Sequence, residues 1–316
     1  MFFLDFCKTL FWKNEVGVLI WLVLNVVLVS MLTPMMLEEF LPGNFAVHVL
    51  IGLVLYAVCL FITMTSFGEW IFRKLQGWNW CVPIARWDHL EKLEPIFDEI
   101  YSQAVKLDCF LPAKEDIRLF LCKDAGLGAF AIGRSSICIT EELLEAEPRY
   151  IKAALSHELA HISSNDTDLL LLITVGNFFV MGLFLAIRIF LLITGVFVSF
   201  MGGIDVPGAA VVAIVMKGLV NLLAMVGIGI LMRLWTQLGI ALVIKFTLKA
   251  KEFQADEFTF SLGYGNDLCE LLDMPQPVQV KGAVFTALNG GDIHARIATL
   301  MELGVTYRKP GFCTKS

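Results

Sequence analysis

Charged residues are scarce in this sequence. Asp, Glu, Lys and Arg make up 17% of its 316 residues, against 57% that are apolar, where soluble domains carry roughly a quarter charged. That scarcity excludes an ordinary soluble globular protein over the full length and favours a membrane protein. Positive charge is not in excess: 24 Lys and Arg face 30 Asp and Glu, for a net charge of −6, so the basic face that nucleic-acid binding requires is missing. Eight cysteines occur, at Cys7, Cys59, Cys81, Cys109, Cys122, Cys138, Cys269 and Cys313, with no CxxC pair and no regular spacing. This argues against a thiolate metal site or a disulfide framework, and the thiols read as small buried hydrophobes in a reducing compartment. There is no internal repeat, no low-complexity tract, and no small-residue cleavage site after the first apolar run, which is therefore expected to be retained.

Long hydrophobic runs are present instead. No charge occurs in residues 16–37 or 45–68, and each run reaches the ~20 residues that cross a hydrocarbon core; a short acidic turn with Glu38, Glu39, Pro42 and Gly43 separates them. After Glu69 the texture becomes that of a water-exposed segment, with Leu90, Leu93, Phe97, Ile100 and Tyr101 on one helical face. Two β-like runs follow, 117–122 and 129–140, separated by the turn-like Asp124, Ala125 and Gly126. Pro148 suits the first turn of the next helix. A third charge-free run covers 169–187, and apolar character persists to Lys245 with Lys217 and Arg233 as isolated bases. The interval 189–244 reads either as one long helix plus a re-entrant piece or as two spans.

The expected organisation is a first transmembrane hairpin (1–68), a first extramembrane part (69–166), a second hairpin (167–244) and a second extramembrane part (245–316), the two extramembrane parts being those that carry the candidate site residues. Lys8, Lys13, Arg73, Lys74, Lys245, Lys249 and Lys251 flank one side of the spans, whereas Glu38, Glu39 and Asp205 lie in the opposite loops. The positive-inside rule then places both termini and the soluble parts in the cytoplasm.

The sharpest local feature is His157-Glu158-Leu159-Ala160-His161, an HExxH. A spacing of four puts both imidazoles on one helix face, where they can share a tetrahedral zinc ion, with Glu158 placed as the base that takes a proton from water. Two histidines on a polar helix face are the plain alternative. A catalytic zinc also needs a third protein ligand, and Glu252-Phe253-Gln254-Ala255-Asp256 begins where the apolar stretch ends. Glu252 is the candidate ligand, and Asp256, one turn on, the carboxylate that orients a ligating imidazole; taken alone, both would read as solvated acids beside Lys249 and Lys251. Glu252 can reach His157 and His161 only if the intervening chain crosses the bilayer an even number of times, and two crossings bring the total to four spans. His48 and Arg188 read as interfacial, His89 as solvated, and Lys217 and Arg233 as side chains that snorkel to a membrane surface.

HELAH after two spans, a further hydrophobic pair and an E-F-x-A-D segment resemble the HtpX-type membrane zinc peptidases, relatives of the CAAX prenyl protease. Ala129-Phe130-Ala131-Ile132-Gly133 with residues 137–144, and Arg296-Ile297-Ala298-Thr299-Leu300, resemble two further islands of that family. The resemblance implies a mainly α fold, with about four membrane helices carrying a cytoplasmic zincin-like α+β catalytic domain in a bacterial inner membrane. It implies one zinc ion per chain, polypeptide substrates drawn from membrane or misfolded proteins in quality control, and a substrate-binding edge strand at Ala129, Phe130, Ala131, Ile132 and Gly133, of which the plain alternative is a core strand. Arg296 is a candidate to stabilise the oxyanion of the tetrahedral intermediate, or to pair with Asp256. The family's His-Pro pair is absent, with Asn289-Gly290-Gly291-Asp292 in its place and His294 the nearest histidine. Two readings from other classes remain: an inactive adaptor or holdase, which would not need Glu158, and a transporter, which would need intramembrane partners for Lys217 and Arg233.

Overall fold

The computed structural model describes residues 16–38, 41–75, 82–84, 87–107, 111–122, 127–133, 135–165, 167, 171–172, 175–201, 208–243, 249–274 and 293–307. Lys8, Lys13, Glu39, Asp205, Lys245, the turn at Asp124, Ala125 and Gly126, and the stretch at Asn289, Gly290, Gly291 and Asp292 lie outside the described residues. In chain order the elements are α1 (Val16–Leu37), α2 (Phe45–Thr63), α3 (Ser66–Leu75), β1 (Val82–Pro83), α4 (Trp87–Lys106), β2 (Arg118–Cys122), β3 (Ala129–Ile132), β4 (Ser136–Thr140), α5 (Glu141–Glu145) and α6 (Pro148–Ser164). After these come α7 (Phe178–Met201), α8 (Gly208–Val243), α9 (Lys249–Ser261), α10 (Gly265–Asp273) and α11 (Ile293–Glu302). The chain forms two compact units, one from residues 1–62 and 173–242, the other from 63–172 and 243–316.

The first unit is helical. Three of its helical stretches, Val16–Leu37, Phe45–Thr63 and Gly218–Gly239, are long and apolar enough to cross a membrane, and Phe178–Thr194 is a shorter apolar stretch within α7. The interval 189–244, left open by the sequence, holds the end of α7 and one continuous helix, α8. Val23, Leu50, Val58, Leu223 and Ile230 are exposed, as befits side chains whose solvent is lipid. A small apolar cluster of Val29, Tyr56, Val180 and Phe184 joins α1, α2 and α7, and the Trp235 indole N–H donates to Asn25 Oδ1 at 3.1 Å. Arg188 and Arg233 are exposed and His48 is buried.

The apolar run 45–68 is not one helix, because α2 ends at Thr63 and α3 starts at Ser66. The chain is tight here: a Cβ on Gly68 would lie 2.0 Å from the Thr63 carbonyl oxygen, so only glycine fits. Glu69, which sequence alone put at the edge of a water-exposed segment, is buried.

The second unit packs helices on a four-stranded sheet of order β1-β2-β4-β3. The run 129–140 is two strands rather than one: β3 and β4 are antiparallel, pairing Ala129 with Ile139 and Ala131 with Ile137. β2 pairs in parallel with β4 instead of forming a hairpin with β3, which leaves β3 at the edge. Leu93, Phe97 and Ile100 of α4 are buried, as their spacing predicts, in a core with Ile137, Ile139, Leu143, Ile151, Leu155 and Leu159. Thr140 ends β4 and caps α5, its hydroxyl accepting from the Leu143 N–H at 3.3 Å. A second cluster of Ala153, Leu268, Cys269, Ile297 and Leu300 fastens α10 and α11 to α6. Cys122 is disulfide-bonded, which corrects the reading of all eight cysteines as unpaired hydrophobes.

Candidate metal centre

Helix α6 starts with Pro148 in its first turn and ends on Asn165 in the left-handed conformation (φ 58°), whose N–H closes onto the carbonyls of His161 and Ile162. Every residue from Ala153 to Ile162 is buried. A helix apolar all round belongs inside a core, so His157, Glu158 and His161 are polar groups carried into the interior and need partners there. They find them on α9 and α11.

The imidazoles of His157 and His161 meet edge to face, and their Nε2 atoms stand 3.2 Å apart. Glu252 of α9 brings Oε2 to 3.4 Å from His157 Nε2 and Oε1 to 3.5 Å from His161 Nε2. Zinc held tetrahedrally at about 2.0–2.2 Å sets its donor atoms roughly 3.3–3.6 Å apart. The three residues therefore form a metal-binding group, with one donor atom from each lying within 4.8 Å of the others, and both spacing and donor chemistry are consistent with zinc.

The electrostatics agree with a cation there. Burial works against a charged His157, but the Asp256 and Glu252 carboxylates beside it outweigh burial and raise the imidazole to about 10. Burial would raise Glu252, yet the His157 contact and the neighbouring positive charges hold its carboxyl well below the usual range. The carboxylates thus create a potential that favours positive charge at the point where the ring nitrogens converge.

Around this centre, Asp256 and Arg296 form a buried pair. Arg296 Nε donates to Asp256 Oδ2 at 2.7 Å and Nη2 to Oδ1 at 2.6 Å, a bidentate fork, while Nη1 lies 3.0 Å from Glu252 Oε2. Asp256, 1% exposed, also approaches His157 Nδ1 at 3.1 Å, although that nitrogen closes no well-aligned hydrogen bond. Burial would raise Asp256, and the guanidinium overrides it, so the carboxyl stays below its ordinary value. Ile297 and Leu300 anchor α11 in the apolar cluster beneath, which aims Arg296 at the site.

Glu158 projects the other way along α6, toward the sheet. The Ala131 N–H donates to its Oε2 at 2.6 Å, and burial lifts its carboxyl above the ordinary range against the pull of the two histidines. The Thr140 N–H donates to the Gly128 carbonyl, and since antiparallel pairs alternate, Ala129 and Ala131 turn their N–H and C=O groups outward, away from β4. Glu158 thus lies against the open edge of β3.

The structure brings together His157, Glu158, His161, Glu252, Asp256, Arg296 and the strand at Ala129–Ile132. It does not bring His294 into this group: on α11 that residue is exposed, two positions before the buried Arg296. The Ala131 N–H escaped sequence reasoning, because a backbone donor leaves no residue-type signal.

A buried HExxH, a glutamate from a separate helix and the buried Glu158 carboxylate against a sheet edge, in a chain with helices long and apolar enough to span a membrane, define a membrane metallopeptidase. The chain belongs to peptidase family M48, whose sequence pattern matches residues 100–274, more than half of its length. No curated protein matches it.

Proposed function

We propose that the protein is an endopeptidase that cleaves membrane or misfolded polypeptides in quality control, of the HtpX-type branch, with one zinc ion held by His157, His161 and Glu252 and its catalytic part in the cytoplasm. The carrying observation is the convergence of three ligand atoms beside a buried carboxylate that already touches an open strand edge. Zinc, when bound, would supply Lewis acidity, making water more acidic and polarising the scissile carbonyl.

The chain's own residues do the rest. Glu158 takes a proton from the water that adds to the carbonyl carbon and returns it to the amide nitrogen as the C–N bond breaks, so the proton balance closes within one side chain. The outward groups of Ala129 and the carbonyl of Ala131 offer hydrogen bonds to an extended peptide added as a further strand. Asp256 orients His157. Arg296 has all three guanidinium nitrogens within reach of Asp256 and Glu252, an arrangement that favours positioning the ligands over contacting an oxyanion. The test is metal analysis together with cleavage of a casein-type or membrane-protein substrate by detergent-purified protein, with and without a chelator. Stoichiometric zinc with no chelator-sensitive cleavage would favour the adaptor reading.

A further inference from the structure

The turn from β3 to β4 begins at Gly133, which is buried and has a φ of 57°, in the left-handed region. Two side chains from distant parts of the sequence meet it. Thr167, just beyond the end of α6, donates its hydroxyl to the Gly133 carbonyl. Glu69 of α3 packs against the glycine so closely that a Cβ there would fall 2.3 Å from Glu69 Oε1 and 2.6 Å from its Cδ. The same carboxylate accepts from Ser136 Oγ, the first residue of β4, at 3.2 Å. Both Glu69 and Thr167 are buried, and neither has a part in the chemistry above.

We propose that Glu69 and Thr167 are positioning residues that clamp the Gly133 turn and thereby hold the outward edge of β3 at the right height over Glu158 and an incoming peptide. The inference rests on the reading of β3 as the substrate-binding edge. Among the described residues, β3 is four residues long and has one neighbouring strand, so on its other side contacts from outside that sheet restrain it. Ala131, whose N–H meets the base, is two residues from the clamped turn. A displaced edge would weaken the backbone hydrogen bonds that an added strand makes, which gives a buried carboxylate and hydroxyl at this turn a functional reason to be there.

The test uses the full, zinc-loaded chain in detergent, with hydrogen exchange across residues 128–133 measured without peptide, and KM, kcat and zinc content measured with one. Thr167→Val should speed exchange in β3 and raise KM about fivefold or more while kcat moves less than about twofold, with zinc content unchanged. Thr167→Ser, which keeps the donor, should restore both, and Glu69→Ala should behave as Thr167→Val. Unchanged β3 exchange in Thr167→Val and Glu69→Ala, or a serine variant no better than the valine, overturns the clamp. Ala129→Pro removes one outward N–H at a position an edge strand tolerates. If it leaves KM alone while Thr167→Val still speeds exchange, the clamp stands and the strand-addition reading is withdrawn.

Discussion

A general base that works near neutral pH needs a carboxyl lifted above its ordinary range, and burial supplies this for Glu158 while the Ala131 N–H fixes one oxygen. Glu158→Gln keeps shape and hydrogen-bond acceptor but cannot take the proton. It should retain zinc and melting temperature and lose roughly 10²–10⁴-fold in kcat; full activity in this variant would remove Glu158 from the mechanism. Glu252→Ala deletes one of three donors and should lose zinc with activity, so stoichiometric tight zinc in that variant would mean another residue is the third ligand. Arg296→Ala leaves Asp256 buried without its fork, a loss that costs about 3–5 kcal/mol for buried pairs. A lower melting temperature and weaker zinc retention are expected. If instead kcat falls sharply with zinc and stability intact, Arg296 acts on the reacting carbonyl.

At the scale of elements, α6 is both the metal helix and the centre of the core. Leu155 is fully buried in the main cluster, two residues from His157, so Leu155→Ala should cost about 2–5 kcal/mol, read as a lower unfolding midpoint in detergent. A loss below about 1 kcal/mol would mean the core collapses onto the gap. The pairing of HExxH with a helix was legible because i and i+4 neighbours are set within one element. The strand map was only half legible. A Gly inside the run 129–140 was the available sign of a turn, yet periodicity cannot tell one long strand from two short ones, nor that β4 would insert between β2 and β3. That insertion is what puts β3 at the edge.

For the whole molecule, the apolar runs and the unequal placement of lysines and arginines predict both termini on the catalytic side and the turn at residues 38–44 on the other. Cysteine labelling in intact cells should reach that turn and not the C-terminus; labelling of the C-terminus from outside would break the even-crossing argument for Glu252. The sequence by itself determined the presence of long apolar helices, the metal helix and the candidacy of Glu252, because length, hydropathy and helical spacing act locally. Only the tertiary structure decided that α3 begins a new helix at Ser66, that Arg296 forks onto Asp256, that Ala131 meets Glu158, and that Glu69 and Thr167 converge on Gly133. The break before Ser66 turns on a close backbone approach at Gly68, and the other contacts join residues dozens of positions apart, where no local pattern encodes which distant side chain fills a given space.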